Sequence, residues 1–444
     1  MSMAVAATPS AGGAYLERYA DARRRLAAGS APWLEGWRRA GAEAFRGAGF
    51  PTIKNEGWRF TPLYGLVEGD FSVDAPAAPF DQSRIKGVTF GREAGNRLVF
   101  VNGRLRGDLS SLKQLSPGIE LLSFAEALAS RPRLVEAALG TAPGLAGHPF
   151  AALNAAFAAD GYVLHLAPGA RSEAPIEILW IGSGADKPPV YHPRNLVVAG
   201  NGAHATVIEH HVGLCIGAYF SDTVTEIALG EGAVLRHCKV QDESREAFHL
   251  ALTGARLAAG AHYDSFVHSA GGRLSRNEIH VALEGRRAQC RLNGAYLGRG
   301  EQIVDHTTVI DHVSPETSSK ELYKGVLDGR ARGVFQGRIT VRPNAQKTDG
   351  QQMNRALLLS DKAEIASKPE LEISADDVKC SHGATAGELD DVSLFYLRSR
   401  GIPEAEARRL LVEAFLNEVI DSVALAGMRL TLERNIARWM AGPA

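Results

Sequence analysis

A recurrence in the middle of the chain restricts the fold more than any other feature. Gly202-Ala203-His204-Ala205-Thr206-Val207 is followed by Gly232-Ala233-Val234-Leu235 and then by Gly260-Ala261-His262-Tyr263. A degenerate copy, Arg287-Ala288-Gln289-Cys290, comes next, and the intervals are 30, 28 and 27 residues. A turn plus strands repeated at a fixed period marks a stacked-repeat fold, in which each unit buries its apolar face against its neighbours. From about residue 161 to 380 helical periodicity is absent, and short β-branched runs alternate with glycines. No helical crossovers separate these runs, which argues against a doubly wound sheet. The even spacing and the glycine heading each unit favour a β-helix. A jelly roll is the alternative, because strand patterns alone do not fix topology.

The flanks read differently. Residues 13–46 carry apolar side chains at three-to-four spacing, among them Tyr15, Leu16, Tyr19, Trp33, Trp37 and Phe45, and are expected to be helical. A second helical patch is expected over 122–158, closed by Gly161. Between them, Arg97 to Val101 reads as a strand ahead of an Asn102-Gly103 turn. Near the C-terminus, Glu388 to Arg400 reads as a helix stopped by Gly401. A second helix follows, with Pro403 suited to its first position and Glu404 and Glu406 in its first turn. Its apolar stripe runs through Ala407, Leu410, Leu411, Ala414, Phe415 and Val419. A third helix is expected from Leu430 to Met440. The expected fold class is therefore mainly β. An N-terminal helical and mixed domain covers 1–160, a β-helix core 161–385, and a C-terminal helical domain 386–444.

Composition narrows the partners. In 444 residues, 45% hydrophobic and 22% charged, the net charge is -1, which gives no electrostatic reason to expect nucleic acid or an anionic membrane. No run of 18 apolar residues is present and the N-terminus does not read as a signal peptide, so the expected location is the cytoplasm. The four cysteines, Cys215, Cys238, Cys290 and Cys380, form no C-x-x-C pair and suit a reducing compartment.

Motifs for common chemistry are missing: no P-loop, no dinucleotide fingerprint, no nucleophile elbow and no H-E-x-x-H. His210-His211 and His237-Cys238 are adjacent pairs, whose side chains point to opposite faces of a strand and cannot share an ion. His306 and His312 share a face, but six residues at about 3.3 Å each hold them about 20 Å apart, so a packed or interface strand is expected. Cys380 and His382 differ. In an extended segment they point the same way, about 6 to 7 Å apart, and offer a thiolate and an imidazole to one side. Those ligand types suit iron and iron–sulfur clusters, which usually take four ligands. Either a second chain supplies the rest, or the pair is structural.

KCSHGATAGELDD (379–391), with PELEISADDV before it, resembles the C-terminal signature of the SufD side of the SufB/SufD family of Suf iron–sulfur cluster assembly proteins. KNEGWRFTPL (54–63) resembles the family's N-terminal element, with Gly57 where an acidic residue is common. The stretch 306–339, HTTVIDHVSPETSSKELYKGVLDGRARGVFQGRI, is similar to the shared core block, and 397–420 to the shared C-terminal helical block. The SufB side is expected to read Asn-Cys-Glu-His-Glu-Ala-Thr where this chain has Lys379-Cys380-Ser381-His382-Gly383-Ala384-Thr385.

The resemblance implies a right-handed parallel β-helix flanked by N-terminal and C-terminal α-helical domains. It implies a non-catalytic scaffold subunit of a SufBCD-type complex, with a SufC-like ATPase and a SufB-like paralogue as partners. ATPase docking would fall on Arg400, Gly401, Pro403, Glu404, Ala407, Arg408 and Leu411, and the strands near 366–384 would pair with the paralogue. No cofactor would be stably bound. Iron or a nascent cluster would be held transiently at the subunit interface by His382, with Cys380 as a further candidate. Two other readings differ in class: a structural homodimeric β-helix without cluster chemistry, and a polysaccharide-binding or polysaccharide-cleaving β-helix. The latter wants surface aromatic platforms, whereas eight of the 15 Trp and Tyr residues fall outside the repeats.

Overall fold

The computed structural model describes residues 11–442 apart from 28–29, 74–82, 84, 90–94, 114, 185–186 and 215–216, so Cys215 lies outside the described residues. Through the repeat region the chain alternates between two sheets. One sheet stacks Ile176–Gly182, His204–Gly213, Val234–Asp242, His262–Ser269, Gln289–Gly298, Ser318–Leu327, Asp349–Leu358 and Lys379–Gly387. The other stacks Tyr162–Leu166, Arg194–Ala199, Phe220–Leu229, Phe248–Leu257, Leu274–Leu283, Ile303–His312, Arg332–Val341 and Glu364–Ile373. Each interior strand pairs in parallel with the strands one coil before and after it. The molecule is a parallel β-solenoid, and the in-register parallel ladders exclude a jelly roll.

The register explains the recurrence. His204, Val234, His262, Gln289, Ser318, Asp349 and Lys379 stand side by side. Two residues before the first six of these, the chain turns a corner with positive φ each time: Gly202 (65°), Gly232 (62°), Gly260 (63°), Arg287 (61°), Glu316 (60°) and Lys347 (61°). The degenerate copy at Arg287 thus makes the same left-handed turn without glycine. Small buried residues follow at each corner, Ala203, Ala233, Ala261 and Ala288, so that successive coils close on one another. Between the sheets lies one continuous core, in which Tyr162, Tyr263, Ile279, Leu292, Tyr296, Tyr323 and Phe335 are buried.

Helices cover both outer faces. Ala11–Arg18, Pro32–Ala48 and Pro149–Phe157 bring Tyr15, Phe45 and Phe150 onto Phe220, Phe248 and Leu274 of the second sheet. Glu404–Ile420 and Ala426–Ala441 bring Val412, Leu416, Leu432 and Trp439 onto Val240, Phe266, Ala295 and Val326 of the first. The helical patch expected over 122–158 is three helices, Phe124–Ser130, Pro132–Ala138 and Pro149–Phe157, entered from the strand Ile119–Ser123. Pro132 and Pro149, lacking an N–H, each start a new helix rather than continue one. The helix expected from Glu388 begins at Asp391, because the strand runs to Gly387 and the Asp390 carboxylate accepts from the Ser393 N–H as the cap. Pro403 precedes the helix starting at Glu404 rather than opening it.

The left-handed corner at Lys347 carries a testable consequence. Its side chain is exposed, and a non-glycine residue there costs about 1–2 kcal/mol, partly offset by the entropy glycine adds to the unfolded chain. Lys347→Gly is expected to raise stability by about 0.5–1 kcal/mol in urea titrations. A loss would show that the corner is not strained.

Candidate functional site

The solenoid ends in two full-length strands, Glu364–Ile373 and Lys379–Gly387, each paired on one side only. Cys380 and His382 sit on the second of these. Cys380 lies in register with Gly350, Ser319 and Cys290, an inward-facing column, and packs part-buried against the end of the core. Burial pushes its thiol pKa up, with a backbone hydrogen bond at Gly350 opposing the shift. His382, two residues on, lies over Gln352, which lies over Glu321. No further coil covers it, so His382 is exposed while Gln352 and Glu321 are buried. The two side chains therefore share the face expected of them, at the open end of the stack. Among the described residues no group of three or more His, Cys, Asp or Glu side chains is placed to hold an ion. A thiol and an imidazole on this open edge are two potential ligands, fewer than the four that iron–sulfur clusters usually take.

The other sequence candidates are structural. His211 faces inward, 3.1 Å from Glu209, whereas His210 faces outward, 3.2 Å from Glu177. His237 points inward to Glu209 and Tyr263, at 3.2 and 3.1 Å, and Cys238 is buried under the C-terminal helices with its thiol pushed up to about 12. His306 is wedged between the rings of Tyr296 and Tyr323, and His312 bonds Thr317 and Ser319 at 2.8 and 2.9 Å. Both are packed inside the solenoid. The KNEGWRFTPL element is an anchor: Trp58 lies over the Arg276 guanidinium at 4.1 Å, and Thr61 donates to Asp305. Arg276 in turn bonds Asp305 at 2.5 Å and Glu278 at 2.7 Å, all buried. The Gly57 carbonyl accepts from Gln336 at 3.1 Å, and open space surrounds the position where its Cβ would be, so an acidic residue would fit.

Of the residues expected to dock a partner, Arg400, Gly401, Pro403 and Glu404 are exposed, Arg408 and Leu411 half-buried, and Ala407 fully buried within the chain. Gly401, with φ 85°, ends the helix Asp391–Ser399. That helix buries none of its residues and leaves Val392, Phe395 and Tyr396 exposed at 75%, 74% and 57%. Sequence reasoning missed this apolar face, although Val392, Phe395 and Tyr396 fall at three-to-four spacing.

These features define a class: a parallel β-solenoid with helices on both faces, one bare end, and a Cys-x-His pair on that end. The chain belongs to the SufBD family. The family model for the SUF system FeS cluster assembly SufBD core domain matches residues 181–415, and that for the SufBD protein N-terminal region matches 10–178. The iron–sulfur cluster assembly protein SufD of Escherichia coli is 32% identical over 400 residues, covering 89% of this chain and 90% of that protein. An iron–sulfur cluster assembly SufBD family protein of Synechocystis is 31% identical over 408 residues, 90% of each chain. SufD of Bacillus subtilis is 28% identical over 299 residues, 66% of this chain and 67% of that one. This is an iron–sulfur cluster assembly protein, and none of its described helices is long and apolar enough to cross a membrane.

Glu321 yields a pH dependence. Burial pushes its carboxyl pKa up to about 7, against hydrogen bonds including one from Gln352 at 2.6 Å. Because the folded value exceeds the unfolded one, this group's stabilisation is present below pH about 4.5 and is lost as pH rises through 7. Glu321→Gln keeps the acceptor and removes the charge. It is expected to flatten the fall in stability between pH 5 and 7 and to gain on the order of 2–3 kcal/mol at pH 8. Parallel stability curves for both proteins would refute this.

Proposed function

We propose that this chain is a non-catalytic scaffold subunit whose bare end joins a second β-solenoid subunit, completing an iron or nascent-cluster site with His382 and Cys380. The observation that carries the reading is the coincidence of the Cys-x-His pair with the one end where both sheets present full-length unpaired strands. Such edges are templates for strand addition by another chain. The imidazole, exposed and two residues from a half-buried thiol, is the stronger ligand candidate. Neither residue completes a site alone, so the cluster is cargo held between subunits rather than a resident cofactor. The missing phosphate-binding loop makes a separate ATPase the source of any nucleotide-driven motion. The exposed Val392, Phe395 and Tyr396 face, continuous with Arg400, Gly401 and Pro403, offers that ATPase a docking surface. Movement there would pass through Glu404–Ile420 to the solenoid face it covers. A homodimer through the same two strands is the second reading, because backbone edges do not distinguish self from paralogue.

A tagged pull-down under native conditions separates the two readings. Recovery of a P-loop ATPase with a similar-sized paralogue supports the scaffold, whereas recovery of this chain alone supports the homodimer. In a reconstituted complex, His382→Ala is expected to lower cluster yield at least fivefold, read by absorbance and iron content, without shifting the melting temperature; undiminished yield removes His382 from the site. Phe395→Asp is expected to abolish recovery of the ATPase while leaving the paralogue bound. Undiminished ATPase recovery would place its docking elsewhere.

A further inference from the structure

Away from the bare end, the helices Ala20–Ala27 and Pro32–Ala48, with Ala156, wall a cleft of about 240 Å³. Arg23, Arg24, Arg38 and Arg39 line it, against one carboxylate, Glu35. The nearby acids are already engaged: Asp21 pairs with Arg24, and Glu17 with Arg46 at 3.6 Å. Among the described residues, Arg23, Arg38 and Arg39 have no carboxylate within ion-pair distance.

Arg38 sits at the floor of this imbalance. It is 8% exposed, an unusual position for a charge without a counter-ion. Its terminal nitrogens are fixed by neutral oxygens: Nη1 donates to the Leu26 carbonyl and to Ser30 Oγ, each at 2.8 Å, and Nη2 to the Ala158 carbonyl at 2.9 Å. Among the described residues its Nε is buried without a hydrogen-bond partner. Those bonds hold the guanidinium in place but supply it no carboxylate, beside two further arginines of the same sign. A dry, clustered positive charge of this kind is stabilised by an anion.

We propose that the cleft binds a small phosphoryl anion, such as phosphate, pyrophosphate or the phosphate end of a small metabolite. Arginine matches phosphate oxygens with paired N–H donors. A tetrahedral group offers oxygens to several guanidinium groups at once, where a planar carboxylate offers two. Arg38 is the fixed element of the site, and the more exposed Arg23 and Arg39 close on the ligand from the cleft wall. The cleft shares no residue with the Cys-x-His pair.

The test is calorimetric titration of the full chain with pyrophosphate at constant ionic strength. One-to-one binding is expected, weakened at least tenfold in the double variant Arg23→Ala/Arg39→Ala. Among the described residues those two side chains make no hydrogen bond or ion pair, so the unliganded variant should keep the wild-type circular dichroism and melting temperature. Binding should also weaken as sodium chloride is raised. Absence of heat from the wild type, equal affinity in the double variant, or citrate binding as tightly as pyrophosphate would each overturn the assignment.

Discussion

The parallel hydrogen-bond ladder between successive coils is the constraint on which everything else depends. Every interior strand of the stack satisfies its backbone groups on the coil before and the coil after. Such a ladder cannot finish itself. At the N-terminal end it dwindles into short antiparallel strands, Arg104–Leu105 and Ile119–Ser123, with Leu105 and Leu115 packed against the core. At the C-terminal end it stops at full length, on Glu364–Ile373 and Lys379–Gly387. The position of Cys380 and His382 gains meaning only from that contrast.

The same register turns single residues into columns, and the columns are not uniformly apolar. Glu209 accepts from Tyr162 at 2.6 Å and lies beside His211 and His237. Lys239 bonds His249 and Asn277 at 2.8 and 2.7 Å, and Glu243 meets His249 at 2.8 Å. Burial draws the lysine down to about 8 despite both glutamates. Burial also works against the Glu243 carboxylate, but His249, His211 and Gln241 hold it at about 2. A slip of one residue would turn these groups out and leave their partners unpaired, so the network fixes the stacking register as well as filling the interior.

Much of this was legible in the sequence, and the limits are physical. The corner glycines announced the coils, because a left-handed turn leaves a compositional mark at Gly202, Gly232 and Gly260. At Arg287, Glu316 and Lys347 the same turn leaves none, and Arg287 showed only through its spacing. Face assignments for His210, His211, His306 and His312 followed from strand alternation alone. The division of the 122–158 helical patch into separate helices was written in Pro132 and Pro149 but hidden by the apolar run around them. Arg276, Glu278 and Asp305 could not be paired from sequence, because their partnership with Trp58 and Thr61 spans most of the chain. Nor could Arg38, whose burial is set by the carbonyls of Leu26 and Ala158.

The unequal ends also set a valence. A rod with two bare ends would add copies without limit and grow into a fibre. Among the described residues this one has full-length bare strands at one end only, so at most one end-to-end junction is open to it. Whatever chain it meets, growth along the solenoid axis stops at two, provided the other subunit is blunted in the same way. The limit on axial growth would then lie in the geometry of the last coil, and not in the concentration of the partners.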